Sequence, residues 1–120
     1  MNKKTLVLGA SLNPVRYSNM AINRLVSAKH ETLAIGLRQG EVAGVQIDTA
    51  LQPYKNVHTI TLYLNPKRQT EYYDYIIALQ PKRVIFNPGT ENPELYALLK
   101  SNGIHFEVAC TLVLLSTNQY

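Results

Sequence analysis

The chain has 120 residues, 46% of them hydrophobic and 17% charged, with a formal net charge of +4. That composition supports a folded core of one domain's size and excludes a disordered or low-complexity chain. A lone cysteine excludes an internal disulfide and a cysteine-built metal cluster, and no apolar run approaches the ~20 residues of a membrane span.

Met1-Asn2-Lys3-Lys4 is basic, but only Thr5–Leu8 follows before Gly9. That is too short for the apolar region of a signal peptide, so the expectation is a soluble cytoplasmic protein. Thr5–Leu8 reads instead as a first strand, ended by Gly9. Ser18 is placed to cap a helix with Ile22, Leu25, Val26 and Lys29 on one stripe. Thr32–Ile35, ended by Gly36, is a second strand. Glu41–Asn56 is irregular: Val42, Val45 and Ile47 around Gly44 suggest a short hairpin or extended passage, and Asp48 a cap for one helical turn over Thr49–Leu51. Val57–Leu64, ended by Asn65-Pro66, is a third strand. Tyr72, Tyr73, Ile76, Ile77 and Leu79 give a helix over Thr70–Gln80, stopped by Pro81.

Arg83–Phe86 is a fourth strand, ended by Asn87-Pro88-Gly89. The next helix has the clearest boundaries. Asn92 is its N-cap, Pro93 its first residue, Leu95, Leu98 and Leu99 its apolar face, and Asn102-Gly103 its left-handed stop. His105–Ala109 is a fifth strand. The apolar tail Thr111–Leu115 must be buried, as a last short strand or across the sheet edge. Short, unalternated apolar runs between helices indicate strands covered on both faces. The expectation is an α/β, single three-layer Rossmann-like domain with a mainly parallel five-stranded sheet. Its five runs, counted in chain order, are expected in the order 3-2-1-4-5.

In such a sheet ligands bind beyond the carboxyl ends of the strands, where the winding reverses. The loops there carry Arg16, Arg38 and Lys67-Arg68. Converging on one rim, these charges favour a phosphate-bearing small molecule, while solvated loop cations are the alternative. Ser11, Asn13 and Ser18 offer donors at a helix N-terminus. The first loop departs from the dinucleotide fingerprint Gly-x-Gly-x-x-Gly: Gly9 is present, but Ser11 and Pro14 stand at the other two glycines. Beyond the second strand, Leu37-Arg38 stands where an NAD-binding protein has an acid. A cation there suits a ribose phosphate, as in NADP or coenzyme A. His30, His58 and His105 fall at the opposite end of the sheet. No paired carboxylates, metal spacing or nucleophile elbow is visible. Cys110 reads either as a small buried residue or as a neighbour of the site.

Gly9-Ala10-Ser11-Leu12-Asn13-Pro14 with Arg16-Tyr17-Ser18, Gly44 with Leu51, Leu64-Asn65-Pro66, Asn87–Asn92, Gly103-Ile104 and Cys110 occur in an order that resembles a known family. It is that of small stand-alone coenzyme A-binding proteins, similar to the coenzyme A-binding domain of the succinyl-CoA synthetase α subunit. The resemblance implies a Rossmann-like fold and coenzyme A or an acyl-CoA as ligand. It implies that the first loop holds the nucleotide phosphates through Ser11, Leu12, Asn13 and Tyr17 or Ser18, with Gly9 and Arg16 in the same candidate cofactor site. Leu37 and Arg38 would lie near the adenosine or its phosphate. Tyr63, Leu64, Asn65 and Pro66 would line the adenine and pantetheine path, and Asn87, Pro88 and Gly89 would border the pantetheine arm. The chain departs from the family's usual Asn-Pro at Leu37-Arg38, and from its usual Arg-Pro-Pro at Leu64-Asn65-Pro66.

The leading expectation is a non-catalytic binding module. The alternatives are an NADP- or other nucleotide-dependent enzyme, and a regulatory or interaction subunit that has lost its ligand. Nucleic acid and membranes are not expected partners, since no recognition module or aromatic-basic strip is visible.

Overall fold

The computed structural model describes residues 2–120. In chain order its elements are β1 (Thr5–Ala10), α1 (Tyr17–Ser27), β2 (Thr32–Gly36), β3 (Gly40–Val42), β4 (Val45–Asp48), β5 (Thr59–Leu62) and α2 (Pro66–Gln69). A 3-10 turn (Thr70–Tyr72) leads into α3 (Tyr73–Leu79), followed by β6 (Arg83–Phe86), α4 (Pro93–Ser101), β7 (His105–Val108) and α5 (Thr111–Ser116).

All seven strands form one sheet in the order β3-β4-β2-β1-β5-β6-β7. Every pairing is parallel except the β3–β4 hairpin. The Rossmann-like class holds, and the strand number and order are corrected. The hairpin around Gly44 supplies two strands that join the sheet, and β4 takes the outer place beside β2 that was expected for Val57–Leu64. That run, as β5, pairs with the other side of β1. Among the five expected runs the order is therefore 2-1-3-4-5, and the winding reverses between β1 and β5.

Alternate side chains of the central strands feed two cores. Leu6, Leu8, Ile60, Leu62, Val84 and Phe86 pack with Ile76 of α3 and with Leu95 and Leu99 of α4. Val7, Ala34, Ile47 and Ile85 face Ile22 and Leu25 of α1 and the α5 segment, giving the second helical layer. This explains the unalternated runs: β1, β5 and β6 are buried on both faces.

Several local expectations need correction. α1 begins at Tyr17, with Arg16 at the N-cap and no side-chain cap; Ser18 is already inside the helix and buried. Thr49–Leu51 makes no helical turn, because the Asp48 carboxylate accepts a hydrogen bond from the Tyr54 hydroxyl. The helical stretch begins before Thr70: Asn65 Oδ1 accepts the Arg68 N–H at 2.9 Å and Pro66 takes the first position. The tail is the helix α5, packed on α1, and not a strand. Asn92-Pro93 opens α4 as expected, and Gly103 follows it at φ 69°.

Candidate functional site

The close approach of β1 and β2 shapes the carboxyl end of the sheet. The pairing steps from Leu8–Ile35 to Ala10–Gly36, so Gly9 bulges out of the ladder. It does so at φ 98°, and a Cβ there would lie 2.9 Å from the Tyr63 carbonyl carbon. At Gly36 a Cβ would lie 2.3 Å from the Ala10 carbonyl oxygen. Both positions need glycine because backbone passes where a side chain would stand. Beyond these glycines, at the reversal point, lies a cleft of about 550 Å³.

The β1–α1 loop forms one wall with Gly9, Ser11, Leu12, Arg16, Tyr17 and Ser18. Ser11 Oγ accepts the Asn13 N–H, and Asn13 Oδ1 accepts the Val15 N–H, both at 3.1 Å. Buried Asn19 donates its side-chain amide to the Ser11 carbonyl at 2.9 Å, tying this loop to α1. Leu37 and Arg38 close a second side. Tyr63, Leu64, Asn65 and Arg68 form the opposite wall with Tyr72, and Pro88, Gly89 and Thr90 its far end.

The cleft therefore gathers most of the residues singled out in the sequence. Asn13, Pro66 and Asn87 are not in its lining. Asn13 spends its side chain within its own loop, and Pro66 forms the first residue of α2. Asn87 is buried behind the site. Its Nδ2 donates to Thr61 Oγ1 at 2.7 Å and to the Leu62 carbonyl at 2.8 Å, while its Oδ1 accepts the Thr111 N–H at 2.9 Å. It is a fastener between β5, β6 and α5. Lys67 also lies outside the lining, whereas Arg68 lies within it.

Ala10, Gly36 and Thr90 also line the cleft, within the loops expected to face the ligand though not singled out there, while Ile35, Tyr72 and the buried Gln69 were not anticipated. The Gln69 side chain donates to the carbonyls of Leu64 and Thr90 at 2.8 Å each, and its Oε1 accepts from Asn92 Nδ2 at 2.8 Å. It thereby couples two segments of the cleft wall. A fully buried glutamine in a four-residue helix has no periodic signature, so nothing in the sequence pointed to it.

Electrostatically the cleft is one-sided. Arg16, Arg38 and Arg68 line it, no aspartate or glutamate does, and none of the three arginines has a carboxylate partner among the described residues. The half-buried Tyr63 remains a neutral hydroxyl, its pKa pushed up to about 12 mainly by burial. Cys110 is a free, partly exposed thiol at the start of α5, outside the cleft lining. His30 lies two residues before β2, His58 immediately precedes β5, and His105 opens β7. All three are at the opposite end of the parallel strands. Among the described residues no helix is long and apolar enough to cross a membrane.

A family model described as a CoA binding domain matches residues 3–116. The chain belongs to the CoA binding domain family. One solved relative, an uncharacterized protein, shares 48% identity with a TM-score of 0.97; the match covers 100% of this chain and 99% of that one. A hypothetical protein from Pyrococcus horikoshii OT3 shares 25% identity with a TM-score of 0.83, covering 93% of this chain and 80% of that one. The fold alone is shared with a dinucleotide-forming acetyl-coenzyme A synthetase from Ca. Korarchaeum cryptofilum, solved with phosphate and ADP. There the identity is 18% and the TM-score 0.71, and the match covers 90% of this chain and 26% of that one. No curated protein matches the sequence. Membership in the CoA binding domain family agrees with the position of the cleft, at the reversal point of a Rossmann-like sheet.

Proposed function

We propose that this chain binds coenzyme A or an acyl-CoA as a non-catalytic module. The observation that carries this reading is the convergence of Arg16, Arg38 and Arg68 on a cleft without acidic lining. Guanidinium groups with no internal carboxylate are free to form charge-assisted hydrogen bonds with phosphates. In this reading the β1–α1 loop and Arg16 receive the diphosphate, and Arg38 the ribose phosphate. The pantetheine arm passes Tyr63, Leu64, Pro88 and Gly89. The three histidines lie at the other end of the sheet, so the cleft holds no imidazole to serve as a general base. A free cysteine and this cofactor both suit the cytoplasm.

Isothermal titration with coenzyme A, dephospho-coenzyme A and NADPH tests the proposal. Binding of coenzyme A, weakened without its ribose phosphate, is the expected outcome. Absence of both heat and thermal shift at millimolar coenzyme A would overturn it. Arg38 favours a second reading, an NADP-dependent protein, and NADPH binding tighter than coenzyme A would select that reading.

A further inference from the structure

At the end of the sheet remote from the cleft, a hydrogen-bond network locks Tyr120 in place. The Tyr120 ring is buried, covers the Arg83 guanidinium at 4.4 Å from Cζ to centroid, and meets the His30 ring at 5.0 Å. Thr5 Oγ1 donates to the Lys3 carbonyl at 2.8 Å, so it accepts from the Tyr120 hydroxyl at 2.6 Å. Lys3 Nζ also reaches the Tyr120 carbonyl.

The protonation state of His30 follows from its partner. The Lys3 backbone N–H donates to His30 Nδ1 at 2.9 Å. A backbone N–H can only donate, so Nδ1 carries a lone pair and the imidazole is neutral. His58 is similarly arranged. Arg83 Nε donates to Thr59 Oγ1 at 3.0 Å, leaving the Thr59 hydroxyl proton for His58 Nδ1 at 2.8 Å.

The surroundings oppose a further positive charge. Lys3 and Lys4 lead into β1, the exposed Lys29 precedes His30, and Lys82 and Arg83 lie at the start of β6. The acids at this end are already engaged: Glu31 pairs with Lys4 at 3.6 Å, and Glu107 contacts Arg83 at 3.4 Å and His105 at 3.8 Å. The 111–120 segment carries no charged side chain. Burial first, and then nearby positive charge that includes Lys3 and Arg83, holds the His30 imidazole below the ordinary histidine range; burial and then Arg83, Lys3 and Lys82 do the same for His58.

We propose that residues 111–120 form an acid-released strap, with neutral His30 as its key. Protonating Nδ1 sets two N–H groups against each other, breaks the bond to Lys3, and brings a cation beside Arg83 and Lys3 at the Tyr120 ring. Protonation of His58 adds charge to the same group. The other end of the strap is held separately, through Thr111 to Asn87 and Thr61, so release begins at Tyr120.

The pH window follows from linkage. A histidine whose folded pKa lies below 6.5 contributes stability that is full above that value and is lost as pH falls through the folded pKa. NMR titration of the full chain from about pH 7 to about pH 5 would follow the His30 ring, the Tyr120 ring and amide protection factors over residues 114–120. The expectation is that all three change together, with protection falling about tenfold for one pH decade of linkage. His30→Asn keeps an acceptor for the Lys3 N–H and cannot gain the proton, so its strap should keep most of its protection at low pH, with only the His58 contribution left. Unchanged strap protection in the wild type at low pH would overturn the proposal. So would a His30 titration that leaves Tyr120 unmoved, a result that needs no variant.

Discussion

Replacing Asn87 separates a ligand role from a scaffold role. In Asn87→Ala the buried Thr111 N–H loses its side-chain acceptor, and the Leu62 carbonyl and Thr61 hydroxyl lose a donor. Thr61 Oγ1 keeps its bond to Thr111 Oγ1 at 2.8 Å, so the main loss is one orphaned backbone donor and a small void. A buried donor without a partner costs about 1–3 kcal/mol, and the void raises the expected total to about 2–4 kcal/mol. For a chain of this size that corresponds to a fall in Tm of roughly 8–16 °C. Urea titration by circular dichroism would measure it, with the midpoint lowered and the slope unchanged. Affinity for coenzyme A should change little, since Asn87 does not line the cleft. A loss below about 1 kcal/mol would refute the scaffold assignment. Unaltered stability combined with lost coenzyme A binding would place the amide at the ligand instead.

Three further outcomes are expected. Gly36→Ala drives a methyl group toward the Ala10 carbonyl oxygen, a backbone atom with no rotamer to yield; thermal melts should show a loss of about 1–3 kcal/mol, and native stability would exclude the close approach. Arg38→Gln and Arg68→Gln should each weaken coenzyme A about tenfold by calorimetry, near 1.4 kcal/mol, with Tm unchanged, whereas Lys67→Gln outside the lining should have no effect. Burial pushes Tyr63 and Tyr75 up to about 12, so their contribution to stability is full below about pH 10 and is lost as pH rises from there toward 12. Absorbance near 295 nm should then show fewer than eight tyrosines ionising before the fold is lost; simultaneous titration of all eight in folded protein would contradict this.

The local grammar of the chain was legible where a short stretch settles its own conformation. Arg83–Phe86 is a strand because four apolar or long side chains stand between Pro81 and Asn87-Pro88-Gly89. Asn92-Pro93 opens α4 because a side-chain acceptor and a fixed φ satisfy a helix start without tertiary help. The same pair at Asn65-Pro66 reads equally well as the stop after a strand. β5 has already ended at Leu62 and the pair opens α2, a helix start hidden by that reading.

Composition and periodicity by themselves determined that this is a single mainly parallel α/β sheet with basic loops at its carboxyl end. Each buried run and each loop cation is a local property of the chain. Tertiary structure decided which runs become neighbours. Pairing of the Val45–Asp48 strand with β2 displaced Val57–Leu64 to the far side of β1, and backbone pairing of this kind leaves no mark on either run alone. That one exchange moved the reversal point to β1 and β5. It brought Arg68 into the cleft and left Asn87 behind the cleft as a buried tie. The same distant packing brought Tyr120 over Arg83 and made a lone pair on His30 part of the fold.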